Sequence, residues 1–249
     1  MDATAATAPI SAELRFWPEL LRLLADERFR APERVEGAPP VLLVPGFLAG
    51  DVSLLVLASW LRRRGHRVVA SGIRLNVGCS GIALRSLERR LQSLGSPAVL
   101  IGQSRGGALA RALAAHRPEL VTAVAMLGAP VLDQLRVSSG TLRAVRSVAA
   151  LGDLGVPGLF SNRCLEGECC AGFRRLLVAP LDPATVALSV YSRSDAIVDW
   201  HVCLDPDADC VEVDSSHCGM GVNPRVYGEL ERMLDRAARV LRPAAVAGS

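Results

Sequence analysis

The chain has 249 residues, of which 50% are hydrophobic and 21% are charged, and its formal net charge is +3. A chain this apolar can bury a large core, which excludes an intrinsically disordered protein, and its length suits one compact domain. All 28 basic residues are arginine, so sites that require a lysine, such as a Schiff base or a Walker A phosphate loop, are excluded. The arginines are spread along the chain and aromatic residues make up only 4%, so we expect no nucleic-acid partner.

Residues 1–38 are predicted to form a tail, one helix and a polar connector. The helix is indicated by apolar residues at three- and four-residue spacing, namely Leu14, Trp17, Leu21 and Leu24. We expect this apolar stripe to dock on the body of the protein rather than on a membrane. The first residues lack the basic segment and apolar stretch of a secretory signal, so the expected location is cytoplasmic.

The most apolar stretch, residues 41–61, is as long as a membrane span. It is interrupted by the helix breakers and the charge at Pro45, Gly46, Gly50 and Asp51. These residues divide it into a short strand, a loop and a helix, so no transmembrane span is expected.

Short apolar runs alternate with helical patterns over residues 39–243, which we interpret as one domain followed by a tail at 244–249. The runs are continuous, as in strands that helices cover on both faces. The predicted strands are Val41–Val44, Arg67–Ser71, Ala98–Ile101, Thr122–Leu127, Thr185–Tyr191 and Cys210–Val213. The predicted helices of the alternation are Val52–Arg64, Ile82–Leu94, Gly106–Ala115 and Pro224–Leu241. This order predicts an α/β fold with a doubly wound, mostly parallel sheet of about six strands.

One stretch, at about residues 131–183, interrupts the alternation. It has no clear strand, and a helix is predicted only around Thr141–Leu151. We interpret the stretch as a lid or cap insertion over the carboxyl edge of the sheet, where ligands bind in open α/β folds.

The seven cysteines include three in the segment CLEGECC (Cys164, Cys169 and Cys170) and a pair, Cys203 and Cys210, that flanks LDPDAD. A zinc site would need two CxxC-like pairs or added histidines at ligand spacing, and the sequence has neither. We therefore expect no metal and no other cofactor, but reduced structural thiols or a local disulfide. A bridge between Cys203 and Cys210 is one such hypothesis.

The segment Gly102-Gln103-Ser104-Arg105-Gly106 joins a predicted strand to a predicted helix. The pattern G-x-S-x-G at a strand-to-helix turn is typical of a nucleophilic serine, because the chain passes so close on both sides that only glycine fits. The turn also points a helix N-terminus at the reaction site. Ser104 is therefore the predicted nucleophile, and an ordinary Gly-rich turn is the alternative.

A serine nucleophile needs a base, and the chain has four histidines. His217 directly follows the last predicted strand and lies at the same sheet edge as Ser104. His66 and His116 belong to the opposite edge, whereas His201 follows the fifth strand by a few residues. His217 is the predicted base.

The acid that orients this histidine is expected in the loop after the fifth strand. Asp195 comes directly off the strand end and is the first candidate, with Asp199 held in reserve. The order Ser104, Asp195, His217 is the one expected for this kind of fold. The oxyanion hole is predicted to use the backbone N–H groups of Arg105 and Phe47, the latter in the Gly-containing loop after the first strand.

The segments VLLVPGFLAG, IGQSRGG, YSRSDAIVDW and SSHCGMG together resemble the α/β-hydrolases, in particular small bacterial lipases and esterases. The resemblance covers roughly residues 39–243, and six strands is similar to the minimal versions of that fold. Two positions depart from it: PGF stands where many members have His-Gly, and Arg105 stands where Met or Leu is common. We expect the Arg105 side chain to pair with an acid outside the pocket; selection of an anionic substrate group is the alternative.

These features predict a serine hydrolase that cleaves carboxylic esters through an acyl-enzyme. The apolar insertion favours a small ester substrate with an apolar acyl group. An acyltransferase or thioesterase would use the same triad, and a non-catalytic binding protein would be expected to lack one of its residues. The natural ester and the oligomeric state are not indicated by the sequence.

Overall fold

A computed structural model describes residues 7–165 and 167–246, with side chains described as far as residue 239. Its centre is a six-stranded sheet in which every neighbouring pair is parallel. The strands are β1 (Val41–Val44), β2 (Val68–Ala70), β3 (Ala98–Gln103), β4 (Val121–Leu127), β5 (Val186–Tyr191) and β6 (Asp209–Glu212). Each predicted strand is confirmed, with ends that shift by at most two residues.

The strand order across the sheet is β2-β1-β3-β4-β5-β6. Because all strands are parallel, the loops that follow β1, β3, β5 and β6 leave from the same edge. The four segments that were singled out for chemistry are these four loops. The fold thus brings together residues that are as much as 170 positions apart, from Phe47 to His217.

Helices cover both faces of the sheet, and alternate side chains of each strand point to opposite faces. They are α1 (Phe16–Ala25), α2 (Glu27–Arg30), α3 (Leu55–Arg63), α4 (Ser80–Gln92), α5 (Arg105–His116), α6 (Ser139–Asp153), α7 (Asn162–Leu165), α8 (Ala171–Val178) and α9 (Pro224–Val246). Leu43 and Ile101 pack in a core with Trp60 of α3 and Tyr227 of α9. The adjacent strand position Leu42 belongs to the other core, with side chains from α4, α5 and α8.

Helix α8, which lies within residues 131–183, was not predicted. Phe173 and Leu177 of α8 are buried in the same core as Leu109 and Leu113 of α5. The last part of the stretch is therefore built into the helical layer of the body. Helix α6, by contrast, has one buried side chain, that of Ala149.

The N-terminal helix docks on the body by the face opposite to the predicted one. A 3₁₀ turn at Ile10–Arg15 leads into α1, and the apolar stripe is exposed, with Leu14 at 72% and Trp17 at 65% of full exposure. The buried side chains of α1 are Glu19 and Leu23. The expectation that the stripe faces the body is wrong because polar contacts of the helix, described below, decide its orientation.

The two ends of the chain lie partly outside the described residues, which begin at residue 7 and end at residue 246. Helix α9 continues through residues 244–246, which were assigned to a tail. Within the described ranges, no helix is both long and apolar enough to cross a membrane.

Candidate active site

Ser104 occupies the turn between β3 and α5. Its backbone has φ +53° and ψ −126°, a strained conformation for a residue with a side chain. A Cβ atom at Gly102 would overlap the backbone of Gly106, and one at Gly106 would overlap the carbonyl of Val44. The two glycines of the motif are therefore required by close backbone approach, as the pattern predicts.

His217 and Asp195 are in direct contact. His217 follows β6, and its Nδ1 lies 2.6 Å from Oδ2 of Asp195 at the end of β5. The other carboxylate oxygen of Asp195 accepts the N–H groups of Ile197 and Val198, each at 2.8 Å. Both side chains are buried. The carboxylate is thus held in one orientation by its own loop, with one oxygen free to face the imidazole.

The surroundings of His217 act on its pKa in two directions. Burial disfavours the charged imidazolium, but the nearby Asp195 carboxylate, and to a smaller extent that of Glu13, favour it. The carboxylates prevail, so the pKa of His217 lies above its ordinary value of 6.5. A histidine stabilised in this way readily accepts a proton from a neighbouring group.

The reserve acid, Asp199, has other partners. Its Oδ1 lies 2.7 Å from Nδ1 of His201, and its Oδ2 accepts a hydrogen bond from Nε of Arg136 at 2.8 Å. Of the other histidines, His66 contacts the carbonyl of Pro39 by its Nδ1. The described contacts therefore place Asp195, and not Asp199, beside His217.

Ser104 and His217 line the same cavity, which has a volume of about 670 Å³. Its wall is mostly apolar and includes Phe47, Leu132 and Phe173. The hydrogen bonds of the described residues do not include one between Ser104 Oγ and His217 Nε2. Such catalytic contacts often tighten only when substrate is bound.

The two predicted oxyanion donors border this cavity. Arg105 is the first residue of α5, so its N–H has no acceptor within the helix. Phe47 lies in the loop after β1, next to Leu48, whose φ of +57° marks a tight turn. Neither N–H donates to a backbone acceptor among the described residues. Phe47 also forms an isolated parallel bridge with Asn76, which fixes the loop beside the cavity.

The side chain of Arg105 has no acidic partner in the described part of the chain, so the expected pairing with an acid is wrong. Its guanidinium donates to the carbonyls of Asn76 and Gly78 and to Oγ of Ser80, and it lies over the ring of Phe160. Burial lowers the pKa of Arg105 to about 10.

Two glutamates that the sequence interpretation missed hold the histidine loop. Glu13 accepts the N–H groups of His217, at 3.0 Å, and of Cys218, at 2.9 Å. Glu19 accepts the N–H of Ser216 at 2.9 Å and the hydroxyl of Ser215 at 2.5 Å. In the sequence, both glutamates lie among the apolar residues of the first helix, on the face opposite to the apolar stripe. This position could not indicate which groups the glutamates bind.

The seven cysteines are free thiols, which agrees with the first of the two alternatives, reduced structural thiols, and not with a local disulfide. Cys203 and Cys210 are both free thiols, and Cys210 contacts the carbonyl of Asp205, so the hypothesis of a bridge between them is wrong. The three cysteines of CLEGECC (Cys164, Cys169 and Cys170) are instead joined by Cys79, which precedes α4.

Comparison with known proteins supports one fold. Residues 39–151 match the family model described as the alpha/beta hydrolase fold. The mature lipase BlEst2 of Bacillus licheniformis superimposes with a TM-score of 0.60 at 15% identity, over 81% of this chain and 94% of the lipase. Carboxylesterase CesB of Bacillus subtilis gives 0.53 at 14% identity, over 90% of this chain and 99% of the esterase.

A third similar structure carries a different name. The putative non-heme bromoperoxidase BpoC of Mycobacterium tuberculosis gives a TM-score of 0.52 at 18% identity, over 81% of this chain and 92% of that protein. A comparison with curated protein sequences finds no match. Identities this low support the fold and leave the reaction open. With its parallel six-stranded sheet, its helices on both faces and its matching family model, the chain has the α/β-hydrolase fold.

Proposed function

We propose that the protein hydrolyses carboxylic esters, with Ser104 as nucleophile, His217 as general base and Asp195 as the residue that orients the histidine. The observation that carries the proposal is the 2.6 Å contact between His217 Nδ1 and Asp195 Oδ2, beside a cavity that the strained Ser104 also lines. The lipase and esterase names of similar structures agree with this proposal.

The reaction would proceed in two halves. Ser104 Oγ attacks the ester carbonyl carbon while His217 Nε2 takes the serine proton, and Asp195 stabilises the imidazolium through Nδ1–H. The N–H groups of Phe47 and Arg105 stabilise the oxyanion, and His217 then returns the proton to the departing alcohol. Water, deprotonated by His217, attacks the acyl-enzyme and releases the acid, which restores Ser104.

The lining of the cavity supports an apolar acyl group in the substrate. Leu132 and Leu135 follow β4, Val145 belongs to α6, and Phe173 and Leu177 belong to α8, and all of them border the cavity. An acyl chain laid against them would remove apolar surface from water on both partners, at about 25 cal/mol per Å². We therefore propose that small esters with medium or long acyl chains are the preferred substrates.

The test is a series of p-nitrophenyl esters of increasing acyl length, assayed with the wild type and with Ser104→Ala. We expect the substitution to lower turnover by about 10⁴-fold or more. Ser96→Ala, at an exposed position, is the matched control and should leave turnover unchanged. A fluorophosphonate should add its mass to Ser104 in the wild type. Activity that survives in Ser104→Ala would refute the assignment of the nucleophile.

The cytoplasmic location expected from the sequence stays a prediction. Fractionation of the producing cells, followed by detection of the protein in each fraction, would test it.

A further inference from the structure

Four cysteines from two distant segments meet beside the cavity. Cys79 lies at the N-cap of α4, Cys164 in α7, and Cys169 and Cys170 in the 3₁₀ turn that precedes α8. The four Sγ atoms all lie within 4.8 Å of one another. The Sγ of Cys170 is 3.5 Å from that of Cys79 and 3.8 Å from that of Cys169.

These separations fit a tetrahedron of sulfur atoms around one metal ion. Zinc–thiolate bonds are about 2.3 Å long, so the edges of a tetrahedral site with four sulfurs measure about 3.8 Å. A disulfide would require a sulfur–sulfur distance of about 2.0 Å. Four Sγ atoms gathered at one point, rather than two separated pairs, match the metal geometry more closely than two disulfides.

A buried positive charge next to the four cysteines also favours a metal ion bound by thiolates. The guanidinium of Arg105 is buried and donates to the carbonyl of Gly78 and the hydroxyl of Ser80, which flank Cys79 on either side. Its described hydrogen bonds reach no carboxylate. Zinc with four thiolates carries a net charge of −2, so it would supply the negative charge that this buried cation lacks.

The stretch that holds three of the cysteines has exposed apolar side chains as well as buried ones. In the stretch between α6 and α8, Leu154 is 81% exposed and Val156 is 42% exposed, whereas Phe160 and Cys170 are buried. So little buried apolar surface contributes little to holding the segment in place. Cys164 and Cys170 also line the cavity, so whatever joins them to Cys79 forms part of the cavity wall.

We propose that Cys79, Cys164, Cys169 and Cys170 bind one structural Zn²⁺ ion as thiolates, which fastens the cavity wall to the start of α4. Each thiol releases its proton to water on binding, and no oxidation takes place. The sequence pattern did not indicate this site because Cys79 lies 85 residues before Cys164. Zinc binding here does not require that the protein hydrolyses esters.

The test begins with the wild-type chain, purified under reducing, oxygen-free conditions and analysed for metal. We expect close to one zinc ion per chain after incubation with Zn²⁺ and dialysis. Co²⁺ in place of Zn²⁺ should produce the visible absorption of tetrahedral cobalt with sulfur charge-transfer bands. Neither measurement depends on a variant that folds or on activity toward esters.

Variants then locate the site. Cys79→Ser and Cys170→Ser should weaken zinc binding by at least about 10–100-fold. The control, Cys210→Ser, removes an exposed thiol outside the cluster and should keep the ion. Native alkylation followed by mass analysis should protect the four cluster thiols in the zinc form and label them after chelation, whereas the buried Cys203 should stay unlabelled in both forms.

Three results would overturn the proposal. One is a reduced wild-type chain that retains neither Zn²⁺ nor Co²⁺. Another is a mass that shows disulfides among the four cysteines in protein freshly isolated from reducing cells. The third is a metal content that is the same in Cys79→Ser and Cys210→Ser.

Discussion

Glu19 offers a sharp test of how the histidine loop is held, because its carboxylate is buried and its hydrogen bonds go to groups of that loop and to Asn223; Arg15 Nε lies 3.8 Å from its Oε1. Its Oε1 accepts the N–H of Ser216, and its Oε2 accepts the hydroxyl of Ser215 and the side-chain N–H of Asn223 at 3.2 Å. The substitution Glu19→Gln keeps the shape but removes the charge and replaces one acceptor oxygen by a donor.

The expected cost follows from these contacts. With an NH₂ group at the position of Oε2, the hydroxyl of Ser215 can turn away, but the N–H of Asn223 is left facing another donor. A buried unsatisfied donor costs about 1–3 kcal/mol, and loss of the charge from the remaining bonds adds a comparable amount. We expect the free energy of unfolding to fall by about 2–4 kcal/mol.

Two measurements check this expectation. Urea unfolding should show a midpoint about 1 M lower, for a slope of about 3 kcal/mol per M. The ester assay should show kcat/KM lower by about 10²-fold, because His217 directly follows Ser216 and a shift of about 1 Å in a catalytic group has that effect. The matched control is Glu33→Gln at an exposed position of the connector, which should change neither quantity.

The reasoning would be refuted by Glu19→Gln with unchanged stability and unchanged kcat/KM. Loss of stability with full kcat/KM in the folded fraction would show that α1 supports the fold but does not position His217. Gly219→Ala perturbs the contact between Glu19 and the histidine loop by a change in the loop, since the new Cβ would overlap the Glu19 carboxylate. It should also lower the free energy of unfolding and kcat/KM.

Three further predictions concern the candidate site. Asp195→Asn should lower kcat by about 10⁴-fold while Asp199→Asn causes a smaller loss, as measured on samples with matching circular dichroism; equal losses would contradict the choice of acid. The kcat/KM of the wild type should rise with pH to a plateau, with a midpoint above 6.5, because the base must be neutral and the Asp195 carboxylate raises the pKa of His217. The midpoint should fall in Asp195→Asn. A midpoint that does not change in this variant would assign the rise in kcat/KM to a group other than His217. Gly106→Ala should yield little folded protein, because its Cβ would overlap the carbonyl of Val44, and normal expression with a normal melting temperature would contradict the close packing of the turn.

The sequence by itself determined the sheet and the residues that gather at its edge, for reasons that act over short stretches of chain. Continuous apolar runs such as Val41–Val44 can satisfy their backbone and bury both faces only as inner strands of a parallel sheet. Gly102 and Gly106 predicted a crowded turn at Ser104 because no residue with a Cβ atom fits there. Once the strands were ordered, Asp195 and His217 followed as residues that leave the sheet at the edge of Ser104.

Other contacts between distant side chains were decided only by the tertiary structure. The apolar stripe of Leu14 and Trp17 predicted the wrong docking face, because Glu13 and Glu19 satisfy N–H groups of a loop about 200 residues away and turn the helix toward it. Cys79 joins the cysteines of CLEGECC in the same way. The periodicity of apolar residues predicts which face of a helix is buried. A polar contact requires one specific partner residue, and no local sequence pattern identifies that partner.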